Sequence, residues 1–317
     1  MELNYKTIIP AILFSSLSIC VSAQNERIWT KTTATAHNSD AKVRRNSMPE
    51  KAEYYELDLN QLKSALQGAP VRGQFTGQSN VVISFPTAYG TMEKFRVMES
   101  PIMHPGLEAK FPMIKTYAAQ GIDDPTSTMR FSITQFGVHS MVLSGKHSSN
   151  YIDPYTSDLK TYMVYDKQSL GANPQSFECL TNQDVELPSI KNAVASPLLN
   201  TDDQKMRKYR LAQSCNAEYG NIFAGTGTLA QQKANIQAQM VITINRVNGV
   251  YERDLSITME FVPNNDLIIY CGSTSADPWA SEFNTKTALT IDAAIGIANY
   301  DIGHNFKTSG GGNPGFI

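Results

Sequence analysis

The sequence predicts an α+β / α/β protein in two parts, a β-rich half followed by an α/β half. Three observations carry this expectation. Residues 24–180 hold short runs rich in Val, Ile, Phe, Tyr and Thr, set apart by turn clusters. From residue 207 a strand-like run, a long amphipathic segment and another strand-like run follow in order, the grammar of a βαβ crossover with at least a partly parallel sheet. Between the two, residues 181–206 are polar, contain Pro and show no sustained period, so they read as a linker.

The chain opens with a leader. After Lys6 comes "TIIPAILFSSLSICVSA", apolar but too short to span a bilayer, with small Val21 and Ala23 at the positions a signal peptidase reads. Residues 1–23 are therefore expected to be removed by a cut between Ala23 and Gln24. The protein is then secreted or periplasmic, with no membrane association after signal removal. A lipid attachment at Cys20 is the weaker reading, because Ile19 stands where a small residue is wanted. Removal of the leader leaves Cys179, Cys215 and Cys271, which allow one bridge and a spare thiol or three free thiols. A formal charge of −2 gives no basic stripe for nucleic acid. Hydrophobic residues at 41% and charged residues at 18% suit ordinary soluble cores.

In the first half, "VVISFPTAYG", "EKFRVMES", "TMRFSITQFGVHSMVLSG" and "TYMVYDK" read as strands. In the third of these, Met129, Phe131 and Ile133 alternate with Arg130, Ser132 and Thr134, an apolar face against a polar one. Short helices are expected at "LNQLKSALQG" and within "GLEAKFPMIKTYAAQG". The linker ends in a basic cluster, Arg207 and Lys208 with Arg210, a candidate site for maturation cleavage.

In the second half, "YRLAQSC" is a strand. "GTLAQQKANIQAQMVITINRVNGV" is a long helix with Ile236, Met240, Ile244 and Val247 on one face, capped by Thr226 or Thr228 and stopped at Asn248-Gly249. "DLSITMEFVP" and "DLIIYC" follow as strands, "NTKTALTIDAAIGIANY" as a helix and "YDIGHNF" as a final strand.

Chemistry is sparse. No two of the five histidines are four apart, so no helix presents a zinc-binding His pair. His139 and His147 flank a Gly-containing turn and read as surface or edge residues. In "DIGH" the strand alternation puts Asp301 and His304 on opposite faces, so Asp301 does not orient His304. His304 reads as a hydrogen-bonded structural residue, and the residues alone predict no catalytic or metal site.

"YRLAQSCNAEYG", "NRVNGVYERD", "NNDLIIY" and "ANYDIGHNF" followed by a glycine run resemble, together and in this order, the first part of a bacterial reprolysin-like metzincin. These are secreted zinc endopeptidases of flavobacteria-type organisms. The β-rich half is similar to that family's propeptide, through "ESPIMHPGLEAKFPMIKTYAAQGIDDPTSTMRF", "VHSMVLSG" and "YIDPYTSD". The resemblance implies a propeptide-like domain over 24–180, the linker, and over 207–317 the N-terminal part of a catalytic domain with a mixed twisted sheet and a long helix. It implies protein or peptide substrates, a monomer, and zinc held by the three histidines of HExxHxxGxxH in complete members, with the Glu as general base.

That motif does not occur in residues 1–317; by spacing, Asn299 or Tyr300 stands nearest its first His, and neither ligates zinc. No catalytic or metal residue is therefore carried over. The expectation is a precursor fragment without peptidase activity, or alternatively a non-catalytic binding module or propeptide-type inhibitor. Cys179 is the candidate latency thiol that the resemblance implies, against a disulfide with Cys215 or Cys271 or a free thiol. Finally, the apolar face of the long helix is expected to lack part of its partners, leaving a dynamic second half that proteases digest first.

Overall fold

The computed structural model describes residues 28–45, 47–171, 204–279 and 283–308. Ala23, Gln24, Cys179 and the glycines at 310–312 lie outside the described residues. The first half runs β1 (Trp29–Thr32), β2 (Glu53–Leu57), α1 (Leu59–Leu66), β3 (Val82–Pro86), β4 (Met92–Glu99), α2 (Pro105–Glu108), β5 (Lys115–Gly121), β6 (Thr128–Thr134), β7 (Gly137–Leu143), β8 (Asn150–Pro154) and β9 (Thr161–Asp166). These strands make one nine-stranded sheet in the order β1-β2-β9-β8-β7-β6-β5-β4-β3, antiparallel at every pair. One face carries Phe85, Phe95, Phe131, Ile152, Tyr162 and Val164, and Leu62 and Leu66 of α1 pack into that core. Asp58 caps α1 by accepting from the Gln61 N–H, which fixes where the helix starts.

The helix expected in "GLEAKFPMIKTYAAQG" is mostly strand. Only Pro105–Glu108 is helical, and from Lys115 the chain is β5, paired to β4 and β6. Tyr117 and Ala119 alternate into the core, and this period-two burial outweighs the helix propensity of the Ala residues.

The second half runs β10 (Arg207–Cys215), α3 (Ala217–Phe223), α4 (Leu229–Leu255), β11 (Ile257–Phe261), α5 (Phe283–Ala294) and β12 (Ile302–Phe306). Its sheet has the order β11-β10-β12, parallel at both pairs, as the crossover grammar predicts. Thr228 is the N-cap of α4 within a reciprocal capping box with Gln231. "DLIIYC" forms no named strand: Asn265–Ile268 is a 3₁₀ turn, and Ile269 makes an isolated parallel bridge to Cys215.

Two expectations about α4 are corrected. Asn248-Gly249 does not stop the helix, which continues to Leu255 and ends at Ser256 in the left-handed region, φ 54°. Asn248 instead turns its side chain onto the edge of β11, donating to the Met259 carbonyl at 2.8 Å and accepting from the Met259 N–H at 2.9 Å. Gly249 packs against the large sheet. A Cβ there would lie 3.1 Å from Met141 Cε and 3.2 Å from Arg130 Cγ. The apolar face of α4 is also not left without partners. Ile236, Met240 and Ile244 are buried in one cluster with Ile102, Met103, Leu107, Phe111 and Ile114 of the first half.

Arg207 and Lys208 are the first two residues of β10, both exposed, in register with Ile257 and Thr258. The Arg207 N–H donates to the Ser256 carbonyl at 2.8 Å and the Lys208 ammonium pairs with Glu260 at 2.7 Å.

Candidate functional site

The most distinctive sequence motif of the second half lies on β12 and its partner β10. Asp301 precedes β12 and accepts from the Arg210 backbone N–H at 2.7 Å and from its guanidinium, with Nη2 at 2.7 Å. These hydrogen bonds from Arg210 hold the Asp301 carboxyl below its usual range. Because Arg210 also donates to the Ala298 carbonyl at 2.8 Å, the clamp fixes the turn that starts the strand. His304 has other partners: Nδ1 is 3.1 Å from Gln213 Oε1, and its ring meets Phe306 edge-on at 5.4 Å. The ring stays accessible at the surface, although crowding by its neighbours lowers its pKa. Asp301 and His304 are thus held separately, the first in the turn before the strand and the second within it.

Behind β10 lies a chain of buried carboxamides. The Gln213 N–H donates to Asn265 Oδ1 at 2.8 Å, and Asn265 Nδ2 donates to the Gln213 carbonyl and to Gln237 Oε1, both at 3.0 Å. All three side chains are fully buried, so the network locks β10, the 265–268 turn and α4 in one arrangement.

These groups do not make a zinc site. Among the described residues no cluster of three or more His, Cys, Asp or Glu side chains is placed to hold a metal ion. The His304 ring has the Gln213 amide and the Phe306 ring beside it, and not the imidazole, thiolate and carboxylate set that zinc favours. Cys215 and Cys271 are free thiols. Burial pushes the Cys215 thiol up to about 12, so it is no ready thiolate.

The strongest electrostatic cluster joins the two halves, and sequence reasoning missed it. Asp153 on β8 is almost fully buried and accepts from Arg45 Nη2 at 2.8 Å, Tyr165 Oη at 2.7 Å and Arg246 Nη2 of α4 at 2.7 Å. His139, expected at a surface or edge, faces this cluster with Nε2 3.8 Å from Asp153. Burial pushes the His139 pKa down to about 4, so the ring is neutral near pH 7. His147 is exposed against Tyr89 and does not meet His139. Gln237 and Asn248, buried polar residues on one face of α4, turn to Asn265 and Met259 on the smaller sheet and give no sign of this contact.

Residues 206–317 match the family model described as Metallo-peptidase family M12B Reprolysin-like. No curated protein matches the chain. The match covers the α/β half, from β10 through the strand that carries "DIGH".

Proposed function

We propose that this chain is part of a secreted zinc endopeptidase precursor, with a propeptide-like first half and the upper part of a metallopeptidase domain in the second. The observation that carries the reading is the match over residues 206–317 together with the parallel β10–α4–β11 crossover and β12 within it. The M12B family is zinc-dependent and acts on proteins or peptides, which sets the substrate class. HExxHxxGxxH does not occur in residues 1–317, and on that ground we read these residues by themselves as inactive. Export through residues 1–23, with the cut between Ala23 and Gln24, a monomeric state and Cys179 as a latency thiol belong to the same proposal.

The test is direct. Residues 24–317 are purified, their zinc content is measured by elemental mass spectrometry, and casein cleavage is assayed with and without a chelator. The expected result is zinc well below one per chain and no chelator-sensitive cleavage. Stoichiometric zinc with chelator-sensitive cleavage would overturn the inactive reading.

A further inference from the structure

The first half does more than precede the second. Residues 102–104 lie along the outer edge of β11: the His104 N–H donates to the Phe261 carbonyl at 3.0 Å, and the Phe261 N–H donates to the Ile102 carbonyl at 2.8 Å. Met103 and Phe261 form a parallel bridge. The smaller sheet thus takes a short extra strand from the first half, which covers an edge that would otherwise present unpaired donors and acceptors.

The next residues continue the attachment. Met103, Leu107 and Phe111 are buried in the same core as Ile236, Met240 and Phe261, and Lys110 pairs with Asp266 at 2.7 Å. On its other side α4 lies against the polar face of β6 and β7. Arg130 of β6 pairs with Glu252, and Arg72 reaches the same carboxylate at 2.7 Å. Arg246 donates to Asp153 and, at 2.9 Å, to the Ser140 carbonyl. The polar side of the Met129–Thr134 alternation is therefore an interface and not a solvent face. A helix buried on two sides by different sheets is a core helix, and neither half alone supplies both walls.

We infer that residues 28–171 are a standing subunit of the metallopeptidase-like half: hydrolysis of a peptide bond between residues 172 and 203 leaves a non-covalent one-to-one complex and does not release the first half. This stands on the interface alone and holds whether or not zinc is ever bound. It also makes a reading of the first half as a leader that departs on cleavage insufficient, because a second event must break the shared core.

The experiment uses residues 24–317 with a recognition sequence for a site-specific protease inserted after residue 190. After complete cutting, the sample is run on a native size-exclusion column. The two pieces are expected to elute together at the volume of the uncut protein and to separate only in denaturant. Elution as two separate species under native conditions would overturn the inference. A second readout uses the two tryptophans, one in each half. Trp29→Phe and Trp279→Phe variants each leave one reporter, and their urea midpoints are expected to coincide. Midpoints separated by more than the width of either transition would show two independent units and overturn it as well. Glu252→Gln keeps the side-chain shape but removes the charge shared by Arg72 and Arg130. In the cut complex it is expected to raise the dissociation rate at least tenfold. An unchanged rate would remove this contact from the interface.

Discussion

Acidification is predicted to weaken the fold through His139. In the unfolded chain a histidine titrates near 6.5, whereas in the folded protein burial, with Arg246 and Arg45 nearby, takes His139 to about 4. The unfolded state therefore binds this proton first. The stability that His139 contributes is complete above about pH 6.5, is lost as pH falls from 6.5 to 4, and changes no further below that. The whole difference is worth about 3 kcal/mol, of which about 2 kcal/mol disappears between pH 7 and pH 4.5. Geometry gives the same sign. Asp153 already answers two guanidinium groups, and a protonated His139 would add a third cation beside a single buried carboxylate. The assay is urea unfolding at the two pH values for the wild type and for His139→Gln, which is neutral at both. Carboxylates that titrate over the interval are common to the two proteins and cancel in the difference. The wild type is expected to lose about 2 kcal/mol more than the variant. Equal losses would refute the argument that His139 is buried neutral at this interface.

Two further substitutions probe the same framework. Asp153→Ala strands Arg45 and Arg246 without their anion and is expected to cost about 3–5 kcal/mol. Tyr165→Phe, which removes a single hydrogen bond to that carboxylate, is expected to cost about 1.5–3 kcal/mol. Thermal melts rank the pair, and a milder Asp153→Ala would contradict the cluster. At the glycines, a Cβ at Gly220 would overlap the Tyr270 backbone carbonyl, whereas at Gly249 it meets the tip of Met141 at 3.1 Å and the stem of the buried Arg130 at 3.2 Å, contacts relieved by shifts of a few tenths of an ångström. Gly220→Ala is therefore expected to lose about 2–3 kcal/mol, while Gly249→Ala stays within about 1 kcal/mol of wild type because alanine favours the helix. Chemical denaturation of both variants checks the order.

Local rules made part of this molecule legible. The alternation of Met129, Phe131 and Ile133 gave the core face of β6, and the start of α4 was narrowed to Thr226 or Thr228, of which Thr228 is the cap, because a cap needs only its own next turn. The end of that helix was misread at Asn248-Gly249. Both residues answer to distant partners there, the β11 backbone and the β6–β7 surface. The Asp153 cluster was illegible for the same reason, since Arg45, His139 and Arg246 meet only after the halves dock. In "DIGH" the two residues are held apart as expected, although Asp301 lies in the turn before β12 and owes its place to Arg210 and not to strand alternation.

The long helix also has a mechanical meaning. Arg246 and Asn248 pin α4 near its end, to Asp153 on one sheet and to Met259 on the other, and nearer its start Gln135 donates to the Ala234 carbonyl while Asn265 donates to Gln237. Eighteen residues separate Arg246 from the Thr228 cap, an arm of about 27 Å at 1.5 Å per residue. Along that arm the helix is held at two levels, each with a bond to the large sheet's side and one to the smaller sheet's side. It is therefore a strut clamped between the sheets, and neither sheet can shift against the other without breaking bonds at both levels.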